Sequence, residues 1–352
     1  MPQRYRAAII GCGRKGSTID SETRWLVNYD VLPCSHASAY RAHPRVDLVA
    51  GVSRTAESAE QFRQRWGVER VYTDYRQMLE TETPDIVSVT THAPLHAEIT
   101  VAAAEAGVKG IIVEKAMTTS IASAKRMIHA CRSNNVKLLV NHPRRFHPTF
   151  ERAKHLLQQG TIGEVQMALV MGYGKLMHNG SHVFDLLRAF FGEVDWVTGE
   201  LVVKDDSNDP DGRGLIKMKN GLTAFLDFAS GQPFEFIFFG AEGRLVIDQF
   251  RDGVSLINYE PENPAERSPW FRYKPQREVR RHFFNPQPIT PPMLRAVEEL
   301  LQAIEGNREP ISNGEDGLRA LEVGIALHLS ARRGSSPVEL PVREVDYEVL
   351  SR

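Results

Sequence analysis

Lys115 closes a run in which the apolar Ile111, Ile112 and Val113 are followed by Glu114 and then by the amine itself. An apolar strand that stops on a lysine delivers its ammonium to the edge of a sheet, where the ligands of open α/β folds collect. Near the N-terminus, Gly11, Gly13 and Gly16 form GCGRKG directly after an apolar run over 7–10. Glycines at this spacing permit a tight turn and a close backbone approach to a pyrophosphate at a helix N-terminus. Gly11, Gly13, Arg14, Lys15 and Gly16 are therefore candidate dinucleotide contacts.

An acid about 20 positions past such a loop ordinarily takes the adenosine ribose hydroxyls. Residues 17–35 read as an inserted loop, and with them discounted that place falls on Ser53, followed by Arg54 and Thr55. Hydroxyls and a guanidinium suit a 2′-phosphate, so NADP(H) is the expected cofactor, with NAD(H) the alternative. Trp25 and Tyr29, inside the insertion, could wall a substrate pocket or pack the loop on its own domain.

His178, His182 and Asp185 stand at i, i+4 and i+7, one face of a helix that begins by His178. The imidazole pair could hold zinc together with His142 or His147, but no carboxylate or cysteine accompanies it at a recognised spacing, and no metal is expected. The acid-rich KDDSNDPDGRG, with Asp205, Asp206, Asp209 and Asp211, lacks the closing glutamate of a calcium loop and reads as a solvated hairpin.

The elements that must position these residues fall into two groups. Up to about residue 145, apolar runs at 7–10, 46–52, 86–89, 111–113 and 138–140 alternate with helix-period stretches at 56–66, 96–106 and 120–134. That rhythm predicts a doubly wound α/β domain, a parallel sheet covered on both faces. Beyond Phe146, strands are expected at 165–171, 197–203, 214–218, 223–228, 234–239 and 244–248, with turns at Asn220-Gly221 and Glu242-Gly243, as in a largely antiparallel sheet. Residues 259–292 lose periodicity and crowd prolines beside Trp270, Phe271, Tyr273, Phe283 and Phe284. They are expected to form an arm at a subunit contact, or else an active-site cover. Thr290 as N-cap with Pro291 at the first helical position predicts a helix to about Glu305, stopped by Gly306, and a last helix spans 317–332. The expected division is 1–145 for the cofactor and 146–352 for substrate binding and oligomerisation.

With 352 residues, two domains of ordinary size are expected. The 43 basic and 44 acidic side chains leave no electrostatic footprint for nucleic acid or an anionic membrane, which points to a small-molecule partner. Cys12, Cys34 and Cys131 show no close pairing, no apolar run approaches the ~18 residues of a membrane span, and the first residues hold no signal-peptide core. A cytoplasmic location is expected.

Taken together, GCGRKG near residue 11, THAPLH at 91–96, VEKAM at 113–117, NHPRRF at 141–146 and GSHVFDLL at 180–187 resemble the glucose-fructose oxidoreductase / inositol dehydrogenase / MocA (Gfo/Idh/MocA) family. The closing SNGEDGLRALEVGIALHLSAR resembles that family's C-terminal helix. The resemblance implies an N-terminal Rossmann domain and a C-terminal α+β domain whose large, mostly antiparallel open sheet often mediates oligomers, here a homodimer or homotetramer. It also implies hydride transfer at a carbinol of a sugar, cyclitol or related polyol. Lys115 matches the lysine of the family's Glu-Lys-Pro motif, which touches nicotinamide ribose and substrate hydroxyl. His182 matches the histidine acting as acid or base. Glu114 resembles the acid near the nicotinamide ribose, and Thr91, Pro94 and His96 match a loop along the cofactor. Arg144 and Arg145 stand where the family has paired arginines, and Arg144, His178, Asn179 and Asp185 are the candidate substrate contacts.

Two departures mark this chain. Ala116 replaces the motif's proline, and His178, followed by Asn179, occupies the place where the family often has an aspartate four residues before its histidine. Asn179 or Asp185 is expected to supply that polar contact. His182 is then the expected proton-transfer residue and Lys115 its electrostatic partner, or the reverse. Other activities compatible with these residues are a glycoside hydrolase or epimerase working through a transient keto-sugar, and a cofactor-sensing regulator without catalysis.

Overall fold

The computed structural model describes residues 3–23, 32–203, 208–248, 253–259, 278–284 and 289–350. Trp25, Tyr29, Asp205, Asp206, and residues 260–277 and 285–288 of the proline-rich stretch lie outside the described residues.

The first sheet holds β1 (Tyr5–Ile10), β2 (Val46–Val52), β3 (Arg70–Tyr72), β4 (Ile86–Val89), β5 (Gly110–Glu114) and β6 (Lys137–Asn141), in the order β3-β2-β1-β4-β5-β6 with every pair parallel. β4, β5 and β6 are buried at every position, as parallel strands covered on both faces must be, which is why their sequences are apolar runs rather than alternations. The intervening helices are α1 (Ile19–Thr23), α2 (His36–Ala42), α3 (Ala56–Trp66), α4 (Tyr75–Glu82), α5 (Ala93–Glu105) and α6 (Ile121–Ser133). Side-chain oxygens of Ser35, Thr55 and Ser120 cap α2, α3 and α6 by accepting the N–H three residues on.

The chain leaves this sheet through a 3-10 turn, Pro143–Phe146, and α7 (Pro148–Gln158). The second sheet comprises β7 (Val165–Met171), β8 (Val194–Val202), β9 (Asp211–Met218), β10 (Thr223–Asp227), β11 (Glu235–Gly240), β12 (Gly243–Asp248), β13 (Gly253–Tyr259), β14 (Glu278–Phe284) and β15 (Val338–Glu339). α8 (Leu176–Phe191) follows β7, while α9 (Pro292–Glu305) and α10 (Gly314–Arg332) follow β14. The strand order is β14-β13-β12-β11-β7-β10-β9-β8-β15, antiparallel except where β10 runs parallel to β7. Buried and partly exposed residues alternate along β11 and β12, so one face packs on α7, α8 and α10 and the other is open. Across that open face the register aligns Leu215, Phe225, Leu169, Ile237 and Val246 in one apolar row.

Four sequence expectations change. Residues 17–35 are not simply a loop, because a π-helical turn over Arg14–Thr18 and then α1 follow the glycines directly. Asp20 of α1 accepts the N–H groups of Cys34 (2.7 Å) and Ser35 (3.3 Å) and the Ser38 hydroxyl (3.0 Å), so the two ends of the insertion are tied together. α5 starts at Ala93, ahead of His96, because Pro94 needs no N–H partner in a first turn. The proline-rich stretch contains β14, paired along its length with β13. Pro291 is the N-cap of α9 rather than its first residue. α9 also packs its Met293, Val297, Leu300 and Leu301 against Ile9, Ile86, Ile112 and Leu139 of the first sheet, a long-range partnership its own amphipathic pattern leaves open. No described helix is long and apolar enough to cross a membrane.

Candidate active site

β1 delivers the glycine loop to the C-terminal edge of the parallel sheet. Gly11 has φ +107°, and an added Cβ there would lie 2.7 Å from the Thr90 carbonyl carbon; one on Gly16 would lie 2.2 Å from the Gly11 oxygen. No larger residue fits either place. Gly13 faces open space, and the Thr90 hydroxyl donates to the Gly11 carbonyl (2.6 Å), fixing the loop against β4. The Thr91 hydroxyl oxygen, just past β4, and Asn141 Oδ1, at the end of β6, are buried without a partner among the described residues. Unmet buried polar atoms beside a bare glycine turn fit a bound dinucleotide, whose pyrophosphate the loop would hold. Arg14 is exposed and ion-paired with Glu22 of α1 (2.6 Å), while Ser53 is half-buried and Arg54 exposed at the end of β2.

Glu114 lies almost wholly inside. Burial pushes its carboxyl up, yet the result is a strong downward shift, because hydrogen bonds from His36 and Asn141 and the charge of Lys15 favour the anion. His36 Nε2 stands 3.1 Å and Asn141 Nδ2 2.7 Å from Glu114 Oε1. His36 Nδ1 in turn meets the Ser88 hydroxyl at 2.7 Å, which meets the Tyr40 hydroxyl at 2.6 Å. A single consistent proton arrangement runs Tyr40 to Ser88 to His36 Nδ1, leaving His36 Nε2–H to donate to Glu114. Sequence reading missed His36. Its signal was position alone, the first residue after a serine N-cap.

Lys115 crosses from the first half of the chain to the second, and its Nζ donates to the His178 carbonyl of α8 at 2.7 Å. The Lys115–Ala116 peptide is cis. Burial pushes the Lys115 amine down to about 7; the Lys15 and Arg144 cations act in the same direction, and the Glu114 and Asp209 anions oppose them. His182 follows His178 by one helical turn on the same face. It is held well below the usual imidazole range by burial, then by Arg144, Lys115, His142 and Lys15, and its Nδ1 is buried without a hydrogen-bond partner. His178 is pushed down to about 4 by burial and by Lys115.

The other expected site residues divide. The Arg144 guanidinium lies 4.7 Å from the Phe234 ring centroid at the mouth of this region. Thr91 lines it, whereas Pro94 is exposed in the first turn of α5. His96 is not at the cofactor surface. It is buried beneath the loop, its Nε2 2.9 Å from the Thr91 carbonyl and its Nδ1 3.2 Å from those of Ala116 and Met117, so it staples the Thr91 loop to the lysine loop. Asp185 is likewise not a cleft contact, because it is fully buried two turns further along α8. Its two oxygens take Arg145 Nε (2.8 Å) and Nη2 (2.7 Å), with His142 Nδ1 at 3.4 Å. Asn179 Nδ2 is engaged by the Tyr173 carbonyl (2.7 Å) and holds the loop before α8. Asp209 is not solvated as its acidic neighbourhood suggested. It has no exposed surface, and it accepts the N–H groups of Met177 (2.7 Å) and His178 (2.8 Å).

A parallel sheet in this strand order, with a glycine cradle and a buried lysine at its C-terminal edge, defines a dinucleotide-dependent oxidoreductase architecture. Residues 33–142 match the family model described as "Oxidoreductase family, NAD-binding Rossmann fold". The chain is 26% identical to D-apiose dehydrogenase of Paraburkholderia graminis, covering 98% of this chain and 92% of the relative, and 23% identical to myo-inositol 2-dehydrogenase of Thermotoga maritima, covering 91% and 94%. In fold it is similar to levoglucosan dehydrogenase solved with NADH and L-sorbose (TM-score 0.78, 20% identity, 97% and 100% covered). It is similar also to aldose-aldose oxidoreductase from Caulobacter crescentus (TM-score 0.76, 22% identity, 96% and 100% covered). Residues 33–142 thus belong to the NAD-binding fold of the Gfo/Idh/MocA oxidoreductase family, and the relatives named as dehydrogenases support an NAD(P)-dependent dehydrogenase.

His96, His142, His178 and His182 all have lowered proton affinity, with burial the first cause in each. An unfolded histidine titrates near about 6.5, so below that pH the unfolded chain binds more protons than the folded one, and stability falls as pH falls. Glu114 acts only from the ordinary carboxylate range downward and Lys115 mainly from about pH 7 upward, so the interval from about pH 6.5 to about pH 5 reports chiefly the histidines. The melting temperature is expected to drop across that interval, with a shallower slope in His182→Gln; a Tm independent of pH there would contradict the buried neutral imidazoles.

Proposed function

We propose that this chain is an NADP(H)-dependent dehydrogenase or reductase that transfers a hydride between nicotinamide and a secondary alcohol or ketone of a sugar, cyclitol or related polyol. The observation that carries the proposal is the Lys115 amine, half-buried at the sheet edge, held on α8 one turn before His182, and lowered toward neutrality. The sugar and cyclitol dehydrogenases among the relatives support the substrate class. In this reading residues 1–145 hold the cofactor and 146–352 supply the substrate face.

The bound nicotinamide supplies the hydride acceptor or donor. Lys115 in its neutral form takes the hydroxyl proton at Nζ when the alcohol is oxidised, and as ammonium returns it when the ketone is reduced. His182, kept neutral by burial and then by the cations around it, orients the reacting oxygen by a hydrogen bond. This reverses the leading expectation from sequence, which gave proton transfer to His182. Glu114, fixed as an anion by His36 and Asn141, tempers the loss of the lysine's charge, and Arg144 on its Phe234 shelf borders the substrate.

Lys115→Met is expected to bind NADPH normally and to lose about 10²- to 10⁴-fold in kcat. In the wild type, kcat/KM for oxidation should fall below about pH 7 as the amine becomes protonated. Turnover of the variant at the wild-type rate would remove Lys115 from the chemistry.

Ser53 and the exposed Arg54 support the choice of NADP(H). Loss of charge-assisted hydrogen bonds worth about 1.5–3 kcal/mol should raise the KM for NADPH about tenfold or more in Arg54→Ala and leave that for NADH unchanged. Equal changes for both cofactors would sink the phosphate contact.

The apolar row on the open sheet, in which Phe225 is 42% exposed, supports a homo-oligomer that covers this face. Sedimentation velocity of Phe225→Glu should show monomer where the wild type shows a dimer or tetramer; a wild-type monomer would refute the assembly.

A further inference from the structure

Asp209 presents a carboxylate with no exposed surface in a stretch whose composition suggests water on every side. A carboxylate leaves water as an anion only where donors or opposite charge replace its hydration. Both of its oxygens are committed to the start of α8, Oδ1 accepting the Met177 N–H and Oδ2 the His178 N–H. These belong to the first amides of the helix, which have no acceptor within it, and the helix dipole favours an anion there. On the far side, His328 of α10 brings Nε2 to 3.6 Å from Asp209 Oδ1. On the near side, the carbonyl of the same His178 receives Lys115 Nζ. The main chain of one residue is thus held between a carboxylate and an amine, and His182 is carried on the next turn.

We propose that Asp209 is a positioning residue of the active site, fixing the first turn of α8 so that His178 receives Lys115 and His182 stands beside it, and lending its charge to the ammonium form of Lys115. The inference rests on Lys115 as the proton-transfer group. The groups that face this amine are Glu114 from the end of β5, Lys15 from the glycine loop, His142 just past β6, Arg144 from the 3-10 turn, His178 and His182 from α8, and Asp209 from the segment before β9. Lys15 and Arg144 favour the neutral amine, while Glu114 from one half of the chain and Asp209 from the other favour the charged one. Removing the Asp209 charge therefore moves the lysine's titration to lower pH, even where the helix start keeps its shape.

Asp209→Asn keeps the side chain's size and one acceptor while discarding the charge. In the full-length protein, NADPH affinity should stay within about twofold, kcat should fall about tenfold or more, and the acid limb of kcat/KM should shift down by about half a pH unit. Acetylation of Lys115 as a function of pH, followed by mass spectrometry, reads the same titration without any substrate. A lower midpoint in Asp209→Asn with no sugar turned over by the wild type would leave the inference standing and overturn the proposed substrate class. An unchanged midpoint, whatever happens to kcat, would reduce Asp209 to a structural cap and overturn the inference. Should Asp209→Asn fail to fold, Asp209→Glu decides, because it keeps the charge and displaces it from the Met177 and His178 amides. Its Lys115 acetylation midpoint is expected to differ from that of the wild type, and an identical midpoint together with wild-type kcat would refute the positioning role.

Discussion

A lysine amine largely withdrawn from water, with the charges of two carboxylates from different halves of the chain acting on it, is the constraint around which this molecule is arranged. Burial alone would discharge Lys115 completely, and an unopposed anion beside it would keep it charged at every physiological pH. The observed balance needs Glu114 from the strand that carries the lysine and Asp209 from the segment leading into β9. Each carboxylate is itself buried and needs its own donors. Glu114 finds them in His36 and Asn141, and Asp209 in the opening amides of α8.

That arrangement requires the two halves of the chain to meet in one register, and long-range packing holds them there. α9 returns from the second sheet to cover the first, burying Leu300 and Leu301 against Ile112 and Leu139. Arg145, in the turn that joins the halves, pairs bidentately with Asp185 of α8 and reaches Asp316 of α10, and Arg188 of α8 reaches the same Asp316. A buried ion pair contributes little net stability, but breaking one is costly, and this one therefore resists sliding of α8 against the turn. Since α8 carries His178 and His182 in its first two turns, the network further along the helix preserves the geometry at its start.

Much of this was legible in the residues. The apolar runs 46–52 and 86–89 and the helix 56–66 coincide with β2, β4 and α3, because a strand buried on both faces leaves an uninterrupted apolar signature and Thr55 and Gly67 punctuate the helix. The glycine spacing and the lysine at the end of β5 were equally visible, since each depends on neighbours within a few residues. β14 was obscured by the prolines around it, and its exposed, charged sequence has the character of an edge strand. Asp209 was misread because burial is a property of the surroundings, and three other acids in the same loop made it look solvated. Asp185 and His96 were identified as important and assigned to the wrong surface, for the same reason.

Sequence by itself determined the elements, the dinucleotide loop, the amine at the strand end and the family to which they belong. These follow from local sterics, periodicity and side-chain chemistry, and none needs to know what lies opposite. Tertiary structure alone decided which carboxylates face Lys115, which histidine staples a loop and which faces the cleft, and how readily the amine gives up its proton. Those properties are set by burial and by charges tens or hundreds of residues away in the chain, and only packing brings such groups within reach of one another.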